Sequence, residues 1–432
     1  MKLKDTAFTV RAERAILFRV MLSEDRSSSE EPLEELRRLA ETAGANVVHT
    51  VVQNRVSIDP VYYIGKGKAL ELSKIAKEMD VDVLICDDDL TPAQVKNLEK
   101  TIDEKVIDRS ELILDIFATR AKTFQAKLQV ELAQLEYTKP RLTRMWTHLS
   151  RIEGGIGTRG PGEKQLEVDK RIVSKKIHAL RKKLREIEKR QERLVASREE
   201  FFMVSIVGYT NAGKSTLMNA LTEIDTFVED KLFATLDTKT SVCKLENGEK
   251  ILLSDTVGFI KKLPHHLVSS FKATLEEARN TDLLLHVADI SSIVIHNQIG
   301  AVNTVLKELG CDKKPTIMVF NKIDAVQDDA IIPLLRNRYK DCVMISAETH
   351  QGIEDLKRKI VEMLEKNFVD VELSCSAANG KLIAYLHEHA RILSSRFDDE
   401  RATFRLLMED KLVHKLRMMD DGIQIKKTVE SN

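Results

Sequence analysis

Two rhythms of apolar and polar positions divide the chain. Near the N-terminus the short apolar runs Ala15–Leu22, Asn46–Val52 and Val81–Cys86 have the length of strands. Between and after them, residues 31–43, 67–79 and 91–103 carry apolar side chains at helical spacing. The last of these opens with Thr91-Pro92, an N-cap followed by proline at the first helical position. This alternation predicts a small α/β domain with a mostly parallel sheet over residues 1–115. The rhythm then changes. Val173, Ile177, Leu180, Leu184, Ile187, Gln191 and Leu194 are spaced by four and three residues in turn, an a/d seam interrupted once by glutamine. Leu128, Leu132 and Leu135 form a shorter stripe that can pair with it. Between the two stripes lies the run Gly154 to Gly162, with five glycines and a proline, which no helix tolerates. Residues 116–200 therefore predict an antiparallel helical hairpin with a glycine-rich tip.

Strand-length apolar runs return at Phe201–Val207, Ile251–Asp255, Pro315–Phe320 and Cys342–Ile345, within a third region over 201–368. The last region, 369–432, reads as a small α+β domain: a strand near Val369–Ser374, a helix near Gly380–Ser394, then shorter elements. No internal repeat interrupts this order.

Charge changes the picture locally. The chain balances 68 Lys and Arg against 68 Asp and Glu. Between Lys139 and Glu200, however, 18 basic residues face 9 acidic ones. That segregation points to one surface built for a polyanion. The five cysteines are scattered without a C-x-x-C pair, which implies neither a disulfide framework nor a zinc site and fits a reducing compartment. Met1–Arg14 mixes both charge signs and lacks the apolar core of a signal peptide. No run approaches the ~18 uninterrupted apolar residues of a membrane span. A cytoplasmic protein is expected, and the seam, satisfied within one chain, predicts a monomer.

The chemistry lies in the third region. The strand Phe201–Val207 runs directly into Gly208, Tyr209, Thr210, Asn211, Ala212, Gly213, Lys214, Ser215 and Thr216, a P-loop in its strand–loop–helix setting. Its glycines let backbone N–H groups curl around phosphates, Lys214 sets a point charge on the β/γ oxygens, and the Ser215 hydroxyl ligates Mg²⁺. Three further elements follow in the order a GTPase requires. Asp255, at a strand end, would hold Mg²⁺ through water, and the Gly258 amide would sense the γ-phosphate. Asn321, Lys322 and Asp324 end another strand; a carboxylate there accepts two hydrogen bonds from guanine N1 and N2, a pattern adenine cannot supply. Ser346 and Ala347 follow a last strand, where backbone N–H can reach guanine O6. Each later motif alone is weak, but the ordered set is specific. Thr235 is the candidate switch threonine, a second Mg²⁺ ligand when the γ-phosphate is present. A P-loop NTPase of the Ras-like kind inside an α/β multidomain chain is therefore predicted, with GTP and GDP as ligands.

The mechanism has a gap. Phe259 stands where many GTPases place a glutamine that orients the attacking water. Two compensations are open: a group supplied in trans by a partner, or K⁺ held against the phosphates with help from Asn211. Equal hydrolysis rates in K⁺ and Na⁺ would remove the second.

The run Gly154–Glu163, followed by Gln165–Arg171 and by Asp255-Thr-Val-Gly-Phe259, resembles the HflX family of translation-associated GTPases. So do Tyr63–Lys68, Leu128–Leu135 and Leu263–Val268. The resemblance covers nearly the whole chain and is least distinct over the last 60 or so residues. It implies an N-terminal α/β domain and helical hairpin ahead of the GTPase domain. It also implies binding to the large ribosomal subunit, splitting of stalled or idle ribosomes under stress, Thr235 as the switch threonine, and Phe259 as a normal feature. Arg151, Arg159 and Lys164 at the hairpin tip, with the sole tryptophan Trp146 beside it, would then meet rRNA. Two rivals fit the same residues: an assembly GTPase acting on immature large subunits, and an RNA-binding scaffold with vestigial GTPase activity. Gly65-Lys-Gly-Lys68 hints at a second phosphate site, although such a loop is more often a plain turn.

Overall fold

The computed structural model describes residues 13–22, 33–142, 161–196, 201–222, 233, 239–246, 248–261, 278–326, 330–398, 400–410, 412–413, 416 and 423–427. Its first sheet is built from β1 (Arg14–Met21), β2 (Asn46–Asn54), β3 (Val83–Cys86) and β4 (Lys105–Ile107), in the order β2-β1-β3-β4. Every pairing is parallel. Helices α1 (Glu34–Thr42), α2 (Lys66–Glu78), α3 (Pro92–Ile102) and α4 (Arg109–Arg120) connect and flank these strands. Alternate residues of β1 enter two different apolar clusters. Ile16, Phe18 and Val20 pack with α2 and α3, while Ala15 and Leu17 pack with α1 and α4. Burial on both faces explains why β1 reads as an unbroken apolar run.

The helix starts follow local chemistry. Thr91 caps α3 through a reciprocal pair with Gln94: the Gln94 amide donates to Thr91 Oγ1 and Thr91 N donates to Gln94 Oε1, at 3.3 and 2.9 Å. Asp108 caps α4 by accepting from Glu111 N at 2.9 Å. Lys66 begins α2 after Gly65, whose φ of +87° suits a residue without a side chain.

Helix α5 (Phe124–Thr138) meets the much longer α6 (Pro161–Ala196) along the predicted seam. Leu128 and Leu132 pack with Ile177, Leu180 and Leu184, flanked by Leu135, Val173 and Ile187. Lys176–Glu131 and Arg181–Glu136 ion pairs, at 2.5 and 2.8 Å, border it. A 36-residue helix outruns a 15-residue partner, so much of α6 stands clear of α5. The tip between them, with Trp146, Arg151 and Arg159, lies outside the described residues, as does the side chain of Lys164 in the first turn of α6.

The second sheet has the order β10-β9-β8-β5-β7-β6. It comprises β5 (Phe202–Gly208), β6 (Lys239–Lys244), β7 (Lys250–Asp255), β8 (Leu283–Asp289), β9 (Thr316–Asn321) and β10 (Cys342–Met344). Five strands run parallel, and only β6 is antiparallel, on β7 at the edge. Helices α7 (Lys214–Thr222), α8 (Ile295–Glu308), α9 (Ile331–Arg338) and α10 (Ile353–Glu365) accompany it.

The third sheet holds β11 (Phe368–Ser376), β12 (Arg391–Phe397), β13 (Arg401–Glu409) and β14 (Gln424–Lys427), with α11 (Gly380–His389) between its first two strands. The helix expected near Gly380–Ser394 stops at His389. From Arg391 onward the backbone instead pairs with β13, partly burying Ile392 beside Leu406 rather than extending a helical turn into water. No helix among the described residues is long and apolar enough to cross a membrane.

Candidate nucleotide site

The carboxyl ends of β5, β7, β9 and β10 lie at one edge of the second sheet, and four loops leave from there. Parallel strands put their loops at that edge by construction, which is where α/β proteins hold ligands. In the first loop Gly213 has φ +87°, and a Cβ on it would overlap the Asn321 amide, so only glycine lets the loop pass. Lys214 is buried, its Nζ donating to the Tyr209 carbonyl at 2.8 Å. Burial draws its ammonium down to about 8, while Asp255 pulls the other way. Ser215 Oγ donates to Asp255 Oδ2 at 2.7 Å, joining a hydroxyl and a carboxylate into a hard-oxygen pair that suits Mg²⁺. Thr210 Oγ1 is buried with no hydrogen-bond partner among the described residues.

The second loop lies directly on the first. Thr210 N donates to the Phe259 carbonyl at 2.7 Å and Phe259 N to the Gly208 carbonyl at 3.1 Å. A Cβ on Gly258 would stand 2.8 Å from Thr210 Cγ2 and 3.0 Å from Lys214 Nζ, a closeness only glycine permits. Asn321 ties the third and fourth loops to the P-loop: its Nδ2 donates to the Ala212 carbonyl and its Oδ1 accepts from Ala347 N, both at 2.9 Å. Lys322, at φ +66°, turns the chain and pairs with Asp289 at 2.8 Å, leaving Asp324 exposed beside it. Ser346 is fully buried and its Oγ accepts from Thr349 N at 3.1 Å. The structure thus brings together Gly208–Thr216, Asp255, Gly258, Asn321, Lys322, Asp324, Ser346 and Ala347. Thr235 lies outside the described residues.

Comparison with known proteins gives the family. Three family profiles match in chain order: a GTP-binding GTPase N-terminal region over residues 30–118, a GTP-binding GTPase middle region over 120–198, and a 50S ribosome-binding GTPase over 203–322. The GTPase HflX of Caldanaerobacter subterraneus subsp. tengcongensis is 44% identical over 407 residues, covering 94% of this chain and 93% of its own length. The chain belongs to the HflX family of GTPases. GTPase HflX of Escherichia coli K12 is 42% identical over 373 residues, 86% of this chain and 87% of that protein. Among solved structures, a GTP-binding protein from Sulfolobus solfataricus in complex with GDP covers 81% of this chain and 98% of its own, at 26% identity and a TM-score of 0.42. That likeness is too loose to carry weight beside the sequence match.

In this HflX chain the N-terminal unit grips the two loops that touch each other. Arg109, at the start of α4, is 3% exposed and reaches three partners. Its Nη1 donates to Asp87 Oδ1 at 2.7 Å, and its Nη2 to Glu35 Oε1 at 2.5 Å and to the Lys261 carbonyl at 3.1 Å. The Tyr209 hydroxyl donates to Glu35 Oε2 at 2.9 Å and accepts from Lys261 N at 2.8 Å. Burial, then the Glu35 carboxylate, push the Tyr209 phenol well up, so it remains a donor. Beside this polar lock, Tyr209, Val257, Phe259 and Ile260 share one apolar cluster with Ile113, Ile116 and Phe117 of α4. Phe233, close to Thr235 in sequence, stacks edge-on to Phe117 with ring centroids 4.7 Å apart. His286 on β8 is buried near Lys214, and burial first, then Lys214, lower it to about 4, so it stays neutral.

None of Glu35, Asp87 or Arg109 is marked by a motif, and Tyr209 enters the sequence reading only as a P-loop member. Removing Arg109 would take away the cation that Asp87 and Glu35 share, leaving the buried Asp87 with Arg19 at 3.4 Å, a loss of about 3 kcal/mol. Arg109→Ala should lower the melting temperature by about 6 °C or more. A shift under about 2 °C would show that the lock is relaxed in solution.

Proposed function

We propose that this chain binds GTP with Mg²⁺ at the described sheet edge, hydrolyses it, and uses the nucleotide state to act on the large ribosomal subunit, splitting stalled or idle ribosomes. The observation that carries the reading is the dual attachment of the segment Thr256–Lys261. Its backbone pairs with the P-loop, and its side chains and Lys261 peptide are held by α4 and Glu35. Gly258 lies close over Lys214 Nζ, so a γ-phosphate held by Lys214 would meet this segment. Any shift of that segment is then felt by the N-terminal unit and by the helix pair that follows α4.

Ser215, Asp255 and Thr235 are the residues to hold Mg²⁺, which when bound with the nucleotide neutralises charge on the phosphate oxygens. Lys214 supplies the fixed positive charge, and Gly208–Gly213 the backbone N–H groups. Asn321 braces the loops, and Asp324, Ser346 and Ala347 face the guanine. Asn211, at φ +61°, is the residue available to assist with K⁺. Phe259 is buried in an apolar cluster and cannot orient water, so the group that does so comes from a partner. Along α6 the exposed residues Arg171, Lys175, Lys182, Lys183, Arg185, Lys189 and Arg190 outnumber the acids of that stretch, and Val168 and Ile172 are exposed among them. Such a basic rod with insertable apolar groups suits rRNA, with Trp146, Arg151, Arg159 and Lys164 at its tip.

Sedimentation of ribosomes mixed with the protein and a non-hydrolysable GTP analogue tests this order of events. Free subunits should accumulate with the analogue as they do with GTP. Splitting that requires hydrolysis would contradict the proposal, and accumulation of precursor particles on depletion would favour an assembly role instead.

A further inference from the structure

The third sheet adds a surface that the nucleotide chemistry does not use. Its element order is strand, helix, strand, strand, helical residues at 410, 412–413 and 416, strand, with the sheet order β12-β13-β11-β14 and every pairing antiparallel. This is the split β-α-β arrangement, in which both helices cover one face. That face is the core: Val371, Leu373, Cys375, Ala402, Phe404, Leu406 and Met408 are all fully buried. The alternate residues point the other way; at one end Phe368 packs on the core of the second sheet and Glu409 is buried, while the rows further along the strands are uncovered among the described residues.

Strand register lays those residues out as a grid. One row reads Arg396, Thr403, Ser374, Gln424, and the next reads Ser394, Arg405, Glu372, Lys426. Arg391 and Arg401 flank the rows on β12 and β13. Neighbours across the sheet are about 4.8 Å apart and successive rows about 7 Å. Residues 368–427 hold ten basic and ten acidic residues, yet this face gathers four arginines and one lysine against Asp370, Glu372 and Glu409, the last of them buried at one end. Asp370 is matched by Arg405 in a forked pair at 2.7 and 3.1 Å. The other ion pairs, Arg396–Asp398 at 3.9 Å and Arg391–Glu365 at 3.8 Å, are long and wet, of the kind that yields readily to a stronger anion.

The domain as a whole is neutral, and its basic groups are in excess on this one face. We infer that this open face of the C-terminal sheet is a second RNA contact, one that grips the phosphate backbone of structured RNA. Arginine forks match phosphate oxygens in pairs, and the interleaved Ser374, Ser394, Thr403 and Gln424 add neutral donors between them. The outward positions of the central rows hold no aromatic ring, so bases are not stacked and the surface reads backbone shape rather than sequence. The inference rests on the ribosomal reading above and names a second place where rRNA is held.

The test uses the full chain with Arg396→Gln and Arg401→Gln together, neither residue belonging to the nucleotide site. Binding to purified large subunits is measured with a non-hydrolysable GTP analogue across a KCl series. The double variant should bind about 5- to 20-fold more weakly, and the slope of log affinity against log salt should fall by about 1.5, as two lost phosphate contacts require. Its melting temperature and subunit-free hydrolysis should match the parent. A photo-crosslinker at position 403 should label rRNA. Unchanged affinity and slope, or cross-links to ribosomal protein alone, would overturn the assignment of this face while leaving the ribosomal reading intact. A parent protein that fails to bind large subunits would overturn both.

Discussion

Replacing Asp324 by Asn is expected to lower the preference for GTP over other purine nucleotides by about 10³- to 10⁴-fold. The guanine edge presents two donors, N1–H and N2–H, and a carboxylate accepts both; an amide turns one of its own donors toward them. The loop that carries Asp324 has little freedom to compensate. Lys322 at its start is fixed by Asp289 at 2.8 Å, and Ile323 N donates to the Ile345 carbonyl at 3.2 Å, just before Ser346. Competition binding with GTP, ATP and xanthosine triphosphate measures the change. Xanthine carries an oxygen where guanine carries the amino group, so its nucleotide should gain affinity as GTP loses it. A variant that still prefers GTP by the parental ratio would place the base elsewhere.

Lys214→Ala should reduce kcat by about 10²- to 10³-fold, the usual loss when one preorganised donor is taken from a site that stabilises developing phosphate charge. The side chain is buried against the P-loop and under Gly258, and its dry setting makes its charge worth more than in water. Single-turnover hydrolysis separates this loss from weaker binding. A cellular rescue assay adds a second reading: full activity from Lys214→Ala would support a scaffold whose GTPase chemistry is vestigial.

The nucleotide edge is legible in the sequence because its chemistry is local. Phosphate binding needs Gly213, Lys214 and Ser215 side by side, directly after a strand, and no tertiary knowledge is required to read that. Sheet and seam elements are legible for a similar reason, since burial on both faces of β1 and along one stripe of α6 leaves plain periodic signals. The lock between the N-terminal unit and the nucleotide loops is different. Arg109 meets Glu35 across 74 positions and Tyr209 meets Glu35 across 174. Such pairs leave no spacing signature, and Phe259 reads simply as a missing glutamine until its burial beside α4 gives it a reason. The over-long C-terminal helix has a smaller cause: Arg391–Phe397 carries little apolar alternation because most of that edge strand is exposed, so only its pairing with β13 marks it as a strand.

GTP hydrolysis by the purified chain, alone and with purified large ribosomal subunits in K⁺ buffer, tests the central claim most directly. With Phe259 buried and unable to orient water, the account predicts slow turnover alone and a stimulation of at least about tenfold on the subunit. Good GTP binding with stimulation below twofold by large subunits would contradict it, and would shift weight to an assembly precursor or a scaffold role.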